Sequence, residues 1–220
     1  MTRKVLGLAV VAVCAISVVA AANASAAVEF RSNGNKAVTL TGEQHTNNHV
    51  FTVGFGSTTC TKAKFEGTAN TSPTPSVTLS AAYGAAAGGS CAFAGIPIEM
   101  HMNGCDIKLF AAGTENLECP EGKEITLTAI QAGVTKCIVH IPAQTGLTGV
   151  TYTNVGAGET EEVTMHIDIT NQIKYSQTEG TGLGKCPTSD GQANGSYTGT
   201  ATVTAEQTAS PFAHIGITVS

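Results

Sequence analysis

The sequence predicts an all-β protein, and three observations carry that prediction. Apolar and polar residues alternate in short runs: Ile96, Ile98, Met100 and Met102 against Pro97, Glu99, His101 and Asn103, then Ile107 and Leu109 against Asp106, Lys108 and Phe110. A period of two places one face of each strand in a core and the other in water. Turn residues, Asn103-Gly104 and Gly113-Thr114, separate the runs. Cysteines stand inside the same pattern, four of the seven between Cys91 and Cys137. The expected architecture is therefore antiparallel and β-sandwich-like, in two small disulfide-stapled lobes.

The chain begins with the layout of a secretory signal peptide. Arg3 and Lys4 form a positive n-region, Val5 to Val19 is almost wholly apolar, and Ala24-Ser25-Ala26 supplies small residues for cleavage before Ala27. Residues 1–26 are assigned to that leader. The apolar run is at the short end for a membrane span and lacks a charged flank after it. Cys14 follows Val13, where a lipoprotein site needs a small residue. Removing 26 of 220 residues leaves 194, enough for a sizeable core.

The remaining chain keeps six cysteines, Cys60, Cys91, Cys105, Cys119, Cys137 and Cys186. An even number in an oxidising compartment predicts three disulfides among fifteen possible pairings. It also keeps nine Lys and Arg against sixteen acidic residues, a net charge near −7. That balance excludes a basic nucleic-acid footprint and attraction to anionic lipid. No membrane insertion is expected after cleavage; the expected location is extracellular or at the cell surface, and any partner is extracellular or of the envelope.

Taken in order, Ser32 to Asn35 is a turn and Val38 to Thr41 a strand. His49 to Val53 and Thr59 to Phe65 are strands joined by a hairpin at Gly54 to Ser57, and Thr68 to Pro75 is a polar connection. Val77 to Tyr83 is the next strand. The small residues of Gly84 to Ser90 read as a loop, since Gly88-Gly89 opposes a helix. After the central runs, Ile125, Leu127 and Ala129 alternate with threonines, a turn falls at Gln131 to Gly133, and a strand runs through Cys137 to Ile141. Gly149 to Val155 and Val163 to Thr170 are strands, Thr178 to Gly195 a glycine-rich loop, and Tyr197 to Ala205 and Ile215 to Val219 the closing strands. Abundant threonine suits these strands, where its branched Cβ packs well on a pleated surface.

The hairpin symmetry also selects a disulfide pairing. Cys105 and Cys119 flank a turn near Ala112-Gly113, which sets them opposite one another. A turn near Ala132 sets Cys137 opposite Leu127 or Thr128 rather than Cys119. Cys60–Cys91 and Cys137–Cys186 then complete the set. Because the strand pattern restarts after Cys119-Pro120, the lobes are drawn as residues 27–118 and 119–220, with one continuous core as the rival. Two pairs of echoes, Phe65 to Thr68 with Tyr197 to Thr200 and Leu40 to Gln44 with Val203 to Gln207, share no common period.

Four runs carry a resemblance: Met102 to Cys105, Cys119 to Lys123, Gly149 to Asn154 and Asn194 to Gly199. In these the chain resembles uncharacterised secreted six-cysteine all-β proteins of soil actinobacteria, over most of residues 42–219. The resemblance implies export and an all-β fold, and it brings no activity with it.

The search for chemistry proceeds mainly by exclusion. The sequence has no Gly-x-Ser-x-Gly elbow, no His-Glu-x-x-His and no phosphate-cradling glycine loop. Its three aspartates lack calcium-loop spacing, and Cys119-Pro120 and Cys186-Pro187 are not Cys-x-x-Cys pairs. Glu159, Glu161 and Glu162 read as a solvated turn. Glu99 with His101, and His166 with Asp168, share strand faces and would make acid–base or metal pairs if those faces met. The simpler reading is a wet outer face. His45 and His49 fall in a polar stretch with Asn47 and Asn48, where a ligand role is no better supported. The Thr-x-Thr pairs, such as Thr39/Thr41 and Thr126/Thr128, lack the regular repeat of an ordered-surface binder. Without tryptophan, and with four tyrosines, sugar-stacking platforms are few. No catalytic, cofactor-binding or metal residue is assigned. Three function classes follow: a secreted non-catalytic structural or matrix protein, first; an extracellular binding module for a glycan or protein partner, second; a secreted hydrolase, third.

Overall fold

The computed structural model describes residues 27–180, 186, 188–209 and 213–220. The expected signal peptide, residues 1–26, lies outside the described residues, as does most of the glycine-rich connection before Ser189. The described residues are built from strands: β1 (Phe30–Ser32), β2 (Val38–Gln44), β3 (His49–Val53), β4 (Gly56–Cys60), β5 (Ala63–Ala69), β6 (Ser76–Tyr83), β7 (Cys91–Phe93), β8 (Ile96–His101) and β9 (Asp106–Phe110). They continue with β10 (Thr114–Glu118), β11 (Ile125–Gln131), β12 (Val134–Ile141), β13 (Gln144–Thr148), β14 (Val150–Val155), β15 (Glu162–Glu179), β16 (Ser189–Gln207), β17 (His214–Ile215) and β18 (Ile217–Val219). Gly84–Ala87 is a single 3-10 turn, as the paired glycines after it require.

The strands close into a barrel rather than facing one another as two layers. β3, β4, β7, β8, β11, β12, β15 and β16 pair in that order, and β16 returns to β3, giving an eight-stranded antiparallel barrel. The remaining strands form a second storey on the first. β2, β5, β6, β9, β10 and β13 pair in sequence, and β2 joins the far half of β16. The chain therefore alternates between storeys, β2 running into β3, β4 into β5, β6 into β7 and so on, while β15 and β16 span both. This corrects the sandwich expectation. A period of two reports only that one face is buried, and a barrel and a sandwich both satisfy it.

Strands on either side of Cys119 pair with one another: β8 with β11, β10 with β13, and β16 with both β2 and β3. The sheet is continuous across the expected lobe boundary, and Cys119-Pro120 belongs to a short connection between two storeys. The three disulfides are Cys60–Cys91, Cys105–Cys119 and Cys137–Cys186, the pairing drawn from strand symmetry. Cys60 lies directly opposite Cys91 in the β4–β7 register. Cys137 faces Ala129, one or two places from the position expected.

One seam departs from regular pairing. β13 and β14 follow each other across Gly149, β13 pairing β10 and β14 pairing the first half of β15. Between β13 and β15 two glutamine side chains replace the ladder. The Gln144 amide accepts from the Lys174 N–H at 2.9 Å and donates to its carbonyl at 3.3 Å. The Gln172 amide accepts from the Thr148 N–H at 2.9 Å and donates to its carbonyl at 3.0 Å.

Inward positions are apolar and outward ones polar. Val38 and Leu40 in β2, Phe65 in β5, and Met165, Ile167 and Ile169 in β15 are buried, whereas Thr39, Thr41, Lys64, His166 and Asp168 are exposed. This is the reverse of a membrane-spanning barrel, whose lipid face is apolar. Among the described residues no helix is long and apolar enough to cross a membrane. Three disulfides fit an extracellular protein. Phe30 on β1, edge-to-face with Tyr152, packs into the far end of the second storey, where β1 pairs β18.

Candidate functional site

The lower storey leaves a cavity of about 240 Å³ at its hairpin end, where the β3–β4, β7–β8 and β11–β12 turns gather with Cys186. Its walls draw on all eight of the barrel's strands: Phe51 and Val53 from β3, Ile96 and Ile98 from β8, Leu127 and Ala129 from β11, and Val139 and Ile141 from β12 among them. Val53, Phe55, Phe93 and Ile96 are half-buried, so the cavity reaches solvent at this end. Phe55 and Phe93 meet edge-to-face there, with centroids 5.4 Å apart. The Cys137–Cys186 disulfide forms part of the wall and ties the β15–β16 connection to β12. Tyr175 braces the rim: its hydroxyl accepts from the Gly54 N–H at 2.7 Å and donates to Asn194 at 3.1 Å.

Below the cavity lies a buried polar belt. The Tyr197 hydroxyl is 2.6 Å from His49 Nδ1 and 2.7 Å from the Tyr83 hydroxyl. Phe51, on the cavity floor, stacks on Tyr197 with centroids 4.3 Å apart. Gly199 makes room for this: a Cβ there would stand 2.2 Å from the His49 ring. Burial pushes His49 down to about 4, since the charged imidazolium would lose its water. Burial holds both tyrosines above their ordinary range.

Glu115 on β10 completes the belt. It is 5% exposed, and its Oε2 has no hydrogen-bond partner among the described residues. Burial pushes its carboxyl up to about 7. A second cavity of about 30 Å³ lies against it, lined also by Tyr83, Tyr197, Met102 and Gln144. Phe51, Ile141 and Ile173 belong to the walls of both cavities, so these three side chains separate them.

The chain matches no family model, no curated protein and no solved structure. What the site can do is therefore argued from its own residues.

The His–carboxylate pairs singled out in the sequence do not meet. Glu99 and His101 lie 3.7 Å apart on β8, with side chains 60% and 57% exposed. His166 and Asp168 are exposed on β15, where Asp168 accepts from Thr170 and His166 lies 3.4 Å from Thr200. The strand partner of His101 is Thr126 and that of His166 is Thr151 on one side and Thr200 on the other. His45 and His49 also part company: His45 stays on the surface beside Thr202, while His49 opens β3 and is fully buried. Among the described residues no cluster of His, Cys, Asp or Glu could hold a metal.

A different His–carboxylate contact does form. His140 sits 2.5 Å from Glu124 through Nδ1 and 3.0 Å from the Thr178 hydroxyl through Nε2. That order of groups is the one that activates a nucleophile. Here, however, Thr178 is exposed on the outer face of β15 and outside both cavity linings, so the contact ties β12 to β15 across the surface.

Glu115 was within reach of sequence reasoning, because Glu115 and Leu117 share a period-two face in Thr114 to Glu118. The cavity was not. Its walls come from positions scattered from Phe51 to Ser196, and no local motif joins them.

Proposed function

We propose that the protein is an exported, non-catalytic binding protein that takes an apolar small molecule into the hairpin end of its barrel. The observation that carries this reading is the 240 Å³ cavity walled mainly by aliphatic and aromatic side chains, with Thr52, Thr58, Lys136 and Ser196 as its polar members. An apolar cavity of ~150 Å³ is large enough to hold benzene and stays dry when empty. Each methylene moved from water into such a wall gains about 0.8 kcal/mol. Two features favour ligand entry over simple packing: the half-buried aromatics at the rim, and a rim braced by Tyr175 and the Cys137–Cys186 disulfide rather than by filling side chains. Binding of an apolar molecule replaces the glycan or protein partner expected of a binding module. The exposed Glu99–His101 and His166–Asp168 pairs give a hydrolase reading nothing to build on.

The test is titration of the oxidised mature protein with an apolar naphthylamine fluorophore, followed by displacement with alkanes and alkanols of increasing length. Saturable binding that strengthens with chain length is expected. Ala129→Phe, which puts a ring into the cavity, should abolish it and leave the circular dichroism unchanged. Absence of saturable binding, or equal binding by Ala129→Phe, refutes the reading.

A further inference from the structure

Resting on that reading, we propose that the ligand is an apolar chain ending in a hydrogen-bond donor such as a primary hydroxyl, and that Glu115 Oε2 accepts from it at the inner end of the barrel. Three observations point there. Glu115 is buried where the second storey meets the barrel, with an acceptor atom that has no partner among the described residues. An unpaired buried acceptor costs about 1–3 kcal/mol, so a group that pairs it recovers that amount. The nearby hydroxyls do not serve: Tyr197 is engaged with both His49 and Tyr83, and Tyr83 with Tyr197.

The geometry supplies the space, behind a partition one side chain thick. The inner cavity of about 30 Å³ exceeds the ~10–15 Å³ that a water-sized group needs. Among the described residues Phe51, Ile141 and Ile173 belong to both linings, and one of them turning aside joins this space to the main cavity. A chain entering at Phe55 and Phe93 and running down the main cavity arrives at this wall end-on. An alkane would leave Oε2 unpaired, and a carboxylate end would oppose it with like charge. The site thus selects for a donor at the terminus, while the apolar length selects for the chain.

The experiment, run at about pH 8.5, above the value near 7 where Glu115 titrates, compares decanol with decyl methyl ether, which matches its chain and can accept but not donate. The wild-type protein is expected to prefer the alcohol by about ten- to a hundredfold, as for a hydrogen bond to a charged or strongly polar acceptor. In Glu115→Leu the ratio of the two affinities should fall close to one. In Glu115→Gln, which keeps an acceptor oxygen in the same volume, a preference of a few-fold should survive. Equal affinity for alcohol and ether in the wild type, or a preference that persists in Glu115→Leu, overturns the assignment to Glu115 and leaves apolar binding standing. Failure of both ligands to bind overturns the binding reading and this inference together.

Discussion

Replacing Glu115 by glutamine isolates what it costs to keep a carboxyl buried between the two storeys. In the folded protein the group titrates near 7, against 4.5 for the ordinary value. Between those values the folded state holds its proton more tightly than the unfolded chain, so stability falls as pH rises from about 4.5 to about 7. The difference of 2.5 between the two values, at about 1.36 kcal/mol per pH unit, amounts to about 3 kcal/mol. A side-chain amide at this position cannot ionise, so Glu115→Gln relative to wild type should gain about 3 kcal/mol between pH 4 and pH 8. For a protein of this size that is roughly 6–12 °C in Tm. The assay is urea unfolding of both proteins at several pH values with disulfides intact, reading the difference between them. His49 titrates in both proteins and drops out of that difference. A difference that stays constant from pH 4 to pH 8 would mean that Glu115 is solvated in the folded state, and the argument for a buried acceptor would fail with it.

Three further outcomes are expected. His49, pushed down to about 4 by burial, binds fewer protons in the folded state than its ordinary value of 6.5 would give. Its contribution is therefore complete above pH 6.5 and lost as pH falls toward 4, and His49→Gln should flatten that limb of the stability profile. Gly199→Ala places a Cβ against the His49 ring at 2.2 Å and should cost about 1–3 kcal/mol by overpacking, measured by the denaturation midpoint. Gln172→Ala removes both hydrogen bonds to the Thr148 backbone and should cost about 1–2 kcal/mol, where an unchanged midpoint would show that water replaces them freely.

Much of the local structure was legible because period-two alternation and turn dipeptides are local signals. His49 to Val53 and Ile125 to Ala129 are strands as read, and the Asn103-Gly104 turn has the positive φ values that its residues favour. Two kinds of feature were not legible. The first is strand length. Val163 to Thr170 continues to Glu179, because Ile173, Tyr175 and Gln177 keep facing inward past Asn171. The stretch from Ser189 to Gly195 is strand despite its glycines, and at Gly195 and Gly199 a Cβ would press on the Ile173 carbonyl and the His49 ring. Glycine there answers to crowding inside a barrel, and a linear reading takes it for a loop. The second is closure. That β16 returns to β2 and β3 is a contact between ends of the chain, and nothing in either segment's pattern records it. The cavity exists only through that closure, so it was invisible for the same reason.

The paired glutamines at the β13–β15 seam give the wall of the second storey an unequal mechanical character. Elsewhere neighbouring strands are held by peptide groups that cannot turn away without bending the backbone. At Thr148 and Lys174 the same donors and acceptors are held by side-chain amides that can rotate aside while both strands keep their shape. The wall therefore has a line along which it can part cheaply and reseal. Amide hydrogens at Thr148 and Lys174 are expected to exchange with solvent well ahead of their neighbours, through local opening rather than global unfolding. A second storey sealed in this way can breathe along one side while the disulfides stay intact.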